Sequence, residues 1–154
     1  MEIAELVSPE GVIADLNVGS KKQALQGLAH RAAEIIGLHE HAIFDTLLER
    51  ERLGTTGVGV GIAIPHGKLP QIDRLYGLFA RLDHPIDFEA DDDQPVDLIF
   101  LLLAPESAGA DHLKALSQVS RLLRDRSFCE KLRGCDSAEA IYALLTNNSS
   151  SRAA

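Results

Sequence analysis

From Val96 the chain reads VDLIFLLLAP, and every residue from Leu98 to Ala104 is apolar. A strand with one wet face alternates apolar and polar side chains, so a run without alternation has both faces covered. It is far too short for a helix crossing a bilayer, which needs about 20 residues. The run therefore predicts a central strand sandwiched between helices. The fold class that follows is α/β: a single mixed, mostly parallel sheet flanked by helices on both faces. In such sheets, ligand sites collect where strand ends meet loops and helix starts. Pro105 to Ala110 is one such loop.

The rest of the chain supplies those helices and further strands. Val12 to Leu16 predicts a first strand. Ser20, with Gln23 three residues on, starts a helix with the pattern of a capping box. Ala24, Leu25, Leu28, Ala32, Ile35 and Ile36 mark its buried face, and Gly37 closes it. A second helix is expected from Glu40 to Arg52, with Ile43, Phe44, Leu47 and Leu48 inward. Leu75 to Leu82 predicts another strand, broken at His84-Pro85, with Ile86 to Phe88 as a short edge element. A helix beginning at Ala110 or Asp111 has a stripe of Leu113, Leu116, Val119, Leu122 and Leu123. Ser127 to Leu132 and Ser137 to Leu145 give two closing helices. With 154 residues, one domain over 1–146 is expected, followed by a disordered polar tail, NNSSSRAA, over 147–154.

The chemistry concentrates in Gly54 to Lys68, GTTGVGVGIAIPHGK, which holds five of the chain's 12 glycines. Glycine lets the backbone take turns closed to other residues and come close to a ligand. Ile62 to Ile64 predicts a short buried strand, and Pro65, lacking an N–H, is expected to end its pairing. His66 then stands at the strand mouth, with Gly67 and Lys68 beside it and a loop continuing to Gln71. The glycines fail the dinucleotide pattern, because Ile62 occupies the third glycine's place. They fail the P-loop too: five residues, not four, separate Gly61 from Gly67-Lys68, and Leu69 replaces the Ser or Thr. No serine-hydrolase elbow is present.

A histidine without a metal cluster, a nucleophilic Ser or Cys, or paired acids serves as a general base or as a nucleophile. Glycine amides, the hydroxyls of Thr55 and Thr56, a helix start and nearby cations suit a phosphoryl group, which favours His66 as nucleophile. Arg50 and Arg52 complement the dipole at the end of their helix. One of them would also reach a bound anion. His112 falls in the first turn after the central strand, where free N–H groups favour an anion.

Other clusters read as structural. His39 and His41 are two apart and point to different helix faces, and His30 lies on a polar face, so no metal site is expected. Asp91 to Asp93 lack the alternate spacing and distal Glu of a calcium loop. Cys129 and Cys135 read as unpaired thiols in a reducing cytosol. The acidic start MEIAELVSPEG is unlike a signal peptide. A net charge of −8 argues against nucleic acid and against an anionic membrane surface. A cytoplasmic protein with no cofactor and no membrane insertion is expected.

The segment ERERLGTTGVGVGIAIPHGKLP resembles the active-site signature of the IIA components of the bacterial phosphoenolpyruvate:sugar phosphotransferase system, fructose/mannitol class. The nitrogen-related, regulatory branch is the nearer likeness. The resemblance runs on through HPIDFEADDDQPVDLIFLLLAPESAGADHLKALS and covers about Leu6 to Leu145. It implies a mixed sheet flanked by helices, and a phosphoryl group passed to His66 from a small phosphohistidine carrier protein. It further implies that His112 orients or hydrogen-bonds that group and that Arg50 stabilises its charge, the latter from the spacing R-E-x-x-G-[ST]-T-G. Thr55, Thr56, Gly67 and Lys68 become supporting residues, with the choice between the two threonines open. Val60 and Lys114 depart from common residues of the branch and bear on partner preference. The expected function is a phosphocarrier that signals, or passes phosphate on, through phosphorylation-dependent binding of downstream regulatory or transport proteins. Two alternatives stand beside it: a sugar-transport IIA serving a separate IIB, and a regulator acting by contact alone. No IIB or IIC domain is expected within the chain, which is compatible with any of these roles.

Overall fold

The computed structural model describes residues 2–153, with side chains described through 147. A short helix, α1 (Ile3–Leu6), and a 3-10 turn at Pro9–Gly11 lead into β1 (Val12–Leu16). Then come α2 (Lys21–Ile36), α3 (Glu40–Arg52), β2 (Gly57–Gly59), β3 (Ile62–Ala63) and β4 (His66–Leu69). The chain ends with β5 (Tyr76–Ile86), β6 (Val96–Pro105), α4 (Ala110–Leu123), α5 (Arg126–Arg133) and α6 (Ala138–Ala153). The disordered tail expected over 147–154 falls, from 148 on, outside the residues whose side chains are described.

One six-stranded mixed sheet holds these together, in the order β1-β5-β6-β3-β2, with β4 also on β6. The apolar run forms β6, the central strand. It pairs antiparallel with β5 on one side and parallel with β3 and β4 on the other. The pleat sends Leu98, Phe100 and Leu102 into one core layer with residues of α1, α4, α5 and α6. Ile99, Leu101 and Leu103 enter the opposite layer, against α2 and α3. All six are fully buried, as a strand covered on both faces requires.

Local signals explain most boundaries. The Ser20 hydroxyl accepts the Gln23 N–H at 3.2 Å, while the Gln23 side chain reaches back to the Gly19 N–H at 2.8 Å. Gly37 closes α2 in the left-handed conformation (φ 84°), where only glycine sits without strain. Asp125 and Ser137 accept the N–H groups of Phe128 and Ala140 at the starts of α5 and α6.

Four expectations need correction. Pro65 does not end the strand. Pairing with β6 resumes at once as β4, from His66 opposite Leu102 to Leu69 opposite Pro105. Proline removes one donor but keeps its acceptor, and the Leu102 N–H still donates to the Pro65 carbonyl at 3.0 Å. The loop expected after His66 is accordingly strand as far as Leu69. In β5, His84-Pro85 does not break the strand, which runs to Ile86 across a shift of register between Arg81 and Ile86. A bulge of this kind accommodates a residue that cannot donate. Finally, the buried side of α4 is His112, Ala115, Val119, Leu122 and Leu123, and Leu113 is 70% exposed. The helical phase that points His112 inward turns its neighbour outward.

Candidate functional site

Three elements converge on His66. The ring stands on the first residue of β4, half-buried. Its Nδ1 lies 2.9 Å from the carbonyl oxygen of Ile64, two residues back. A carbonyl only accepts, so Nδ1 carries the proton and Nε2 keeps its lone pair. Arg50, in the last turn of α3, donates from Nε to that Nε2 at 3.3 Å and from Nη1 to the Gly54 carbonyl at 2.9 Å. The two contacts are mutually consistent, since an arginine donates only to an unprotonated nitrogen.

His112, from the first turn of α4, completes the group. Its ring meets that of His66 edge-on, with centroids 5.7 Å apart and planes at 75°. Its Nε2 is buried and has no hydrogen-bond partner among the described residues. A buried polar atom left unpaired is costly, so it calls for a partner from outside the chain. Burial, which disfavours the cation, lowers the His66 pKa below the ordinary imidazole value of 6.5, and the Arg50 charge adds to this. The Ile64 hydrogen bond and the Glu51 carboxylate oppose it. Burial also lowers the pKa of His112, followed by the charges of His66 and Lys68. Both rings are therefore held neutral near pH 7.

These residues line a cavity of 620 Å³ together with Thr46, Glu49, Arg52, Leu53, Gly67 and Lys68. Among the candidates from sequence, His66, His112, Arg50, Gly67 and Lys68 are brought together. Thr55 and Thr56 are not among the lining residues. The Thr55 hydroxyl donates to the Phe88 carbonyl at 3.0 Å and accepts from the Gly57 N–H. The Thr56 hydroxyl makes a short hydrogen bond to Glu51, whose other carboxylate oxygen accepts the Thr56 N–H at 3.0 Å. Gly67 has a packing reason to be glycine. A Cβ there would lie 2.8 Å from Cγ2 of Thr46, so its absence lets α3 close on β4 and bring Arg50 to His66. Sequence reasoning missed Thr46, Glu49 and Leu53. Their spacing with Arg50, at intervals of three and four along α3, is the signal that places all four on one helical face. Leu53 and Leu113 are 85% and 70% exposed, and Leu53 forms part of the cavity rim. Among the described residues, no three His, Cys, Asp or Glu side chains gather as they would around a metal ion. Nor is any helix there long and apolar enough to cross a membrane.

Comparison with known proteins bears on this arrangement. The model of the family described as phosphoenolpyruvate-dependent sugar phosphotransferase system, EIIA 2, matches residues 5–148. A nitrogen regulatory protein of Bradyrhizobium diazoefficiens is 62% identical over 145 residues, covering 94% of this chain and 95% of that one. The crystal structure of the nitrogen regulatory protein IIA-Ntr from Neisseria meningitidis superposes with a TM-score of 0.89 at 38% identity, over 94% of this chain and 99% of that one. The enzyme IIAMTL structure from Escherichia coli, solved in complex with phosphorylated enzyme IIBMTL, shares the fold. Its TM-score is 0.77 at 19% identity, over 92% and 99% of the two chains.

Proposed function

The chain belongs to the EIIA 2 family of the phosphoenolpyruvate-dependent phosphotransferase system, as a IIA-type phosphocarrier or regulatory protein related to IIA-Ntr, and from that premise we propose that His66 accepts a phosphoryl group on Nε2 from a phosphohistidine carrier protein. The observation that carries this is the proton address on His66. Nδ1–H is engaged by the Ile64 carbonyl, and Nε2 faces the cavity beside Arg50.

The Nε2 lone pair attacks phosphorus as the bond to the carrier's ring nitrogen breaks, and that bonding pair returns to the carrier. The proton on Nδ1 stays in place, so the His66 ring gains positive charge while it carries the phosphoryl dianion. The Ile64 carbonyl stabilises that charge. Arg50 gives up its contact with Nε2, now bonded to phosphorus, and turns to a phosphoryl oxygen. His112, neutral with its proton on Nε2, donates to a second oxygen, and Lys68 supplies further charge. Positioning and electrostatics supply most of the catalysis, as in other phosphoryl transfers.

With the ring proton retained, the phosphoryl dianion and the ring's positive charge together add about one net negative charge to a chain already at −8, and the dianion offsets the positive charge of Arg50 and Lys68 at the site. The phosphorylated and free forms thus offer different surfaces to downstream regulatory or transport partners. That is the physical basis for signalling through phosphorylation-dependent binding. Incubation with phosphoenolpyruvate, enzyme I and the carrier is expected to place acid-labile phosphate on wild type and none on His66→Ala. Equal labelling of the two, or none on either, would sink the assignment.

A further inference from the structure

Glu51 follows Arg50 on α3, about 100° further round the helix, so the two side chains diverge. Arg50 enters the cavity and Glu51 turns inward. The Glu51 side chain is 3% exposed. A carboxylate so placed is costly unless fully paired, and it is paired by two elements. Lys21, at the start of α2, approaches Oε1 at 2.9 Å. Thr56 donates both its N–H and its hydroxyl. The Lys21 ammonium also lies 4.9 Å from the Phe88 ring centroid, which holds it from a second direction.

Both halves of the phosphoryl site hang on Thr56. On one side, the Thr56 carbonyl accepts the Ile64 N–H at 3.0 Å, and the Ile64 carbonyl in turn accepts the His66 ring proton at 2.9 Å. On the other side, Thr56 anchors the short segment from the end of α3. Within that segment, Gly54 presents the carbonyl that braces the Arg50 guanidinium at 2.9 Å. Gly54 in turn donates its N–H to the Glu51 carbonyl at 3.1 Å, which holds it to the last turn of α3. The side-chain clamp of Glu51 on Thr56 then ties this helix end to the segment that holds Ile64 and, through it, His66.

We propose that Glu51, clamping Thr56 and held by Lys21, is a positioning residue that registers the Arg50 bracket against the Nε2 of His66. The inference rests on His66 being the phosphoryl acceptor. It also gives Thr56 a role behind the site, through its backbone and its bond to Glu51, with no contact to phosphate.

The test measures single-turnover phosphorylation by phosphorylated carrier over a range of carrier concentrations. The proteins are wild type, His66→Ala, Glu51→Gln and Thr56→Val, with the last two also made in an Arg50→Gln background. Thr56→Val leaves the Lys21–Glu51 ion pair intact and covers the case in which Glu51→Gln does not fold. The saturating rate is expected to fall about tenfold or more in Glu51→Gln and Thr56→Val, because small displacements of a positioned group cost that much. The carrier concentration at half-saturation is expected to stay within about twofold, since the docking surface is untouched. In the Arg50→Gln background the same changes should cost less than about twofold, because there is no bracket left to misplace. A role confined to stability would lower the melting temperature and leave the folded protein's rate intact. Wild-type saturating rates in folded Glu51→Gln and Thr56→Val, or undiminished losses in the Arg50→Gln background, would overturn the positioning role alone. Phosphate on His66→Ala would overturn both this inference and the acceptor assignment beneath it.

Discussion

At the scale of the residue, the site is a statement about one proton. The Ile64 carbonyl holds it on Nδ1, burial keeps a second one off Nε2, and Arg50 reinforces that exclusion. Protonation of His66 should therefore occur below the ordinary imidazole value of 6.5. Replacing Arg50 with Gln removes a cation and should move the midpoint upward. Following the His66 ring proton by NMR through a pH titration measures both. A midpoint unmoved in Arg50→Gln would deny the electrostatic part of Arg50's role. Local signs in the sequence mark His66 by its proline-stiffened stem and His112 by a first helical turn, while the helix end offers Arg50 and Arg52 alike and the family resemblance singles out Arg50. Thr55 is bonded away from the cavity for an equally physical reason. A hydroxyl's partner is fixed by tertiary contact, and the Phe88 carbonyl that engages Thr55 lies 33 positions away. No local pattern carries that information.

At the scale of the element, the geometry of the site depends on how closely α3 lies on β4. Gly67 makes the approach possible, with Thr46 standing where a Cβ would intrude at 2.8 Å. Gly67→Ala should destabilise the fold by about 1–3 kcal/mol, the usual cost of overpacking, and slow phosphorylation by pushing Arg50 from His66. Adding Thr46→Ser removes the clashing methyl and keeps the hydroxyl that bonds the Ala42 carbonyl at 3.0 Å. The double variant should recover most of both losses, as read by urea unfolding and by phosphorylation rate. No recovery would mean that the glycine serves the backbone conformation of β4 instead. Elements were legible where one periodicity ran undisturbed, as in α2, α3 and β6. The continuation of a strand past Pro65 and Pro85 was not. At Pro65 the neighbouring β6, remote in sequence, keeps the chain in register although the proline supplies no donor, whereas at Pro85 pairing resumes at Ile86 only across a shift of register.

At the scale of the whole molecule, the two lowered histidines tie the site to the stability of the fold. In the unfolded chain their imidazoles bind protons near the ordinary value, while in the folded chain they bind them only at lower pH. As pH falls below about 6.5, the unfolded state takes up protons that the native state refuses, so stability declines. The decline levels off, for these groups, once pH has passed the folded pKa values. His30 shifts the other way, raised by its hydrogen bond to Glu40, but it is exposed and solvent weakens its effect. Urea midpoints measured between about pH 7.5 and pH 5.5 should fall with acidity. A protein with His66 and His112 both changed to Gln should show a shallower dependence. Equal slopes would place the acid sensitivity elsewhere.

The interruption at Pro65 has one more result. Proline has no amide proton, so this point of the central sheet is tied to β6 from one side only, by the Leu102 N–H. The flanking pairs of β3 and β4 with β6 stand on either side of that single tie. Leu102 lies buried in the middle of the molecule, where amides normally exchange with solvent only on global unfolding. Its exchange rate is thus a gauge, read from deep in the core, of how firmly the strand that carries His66 is seated.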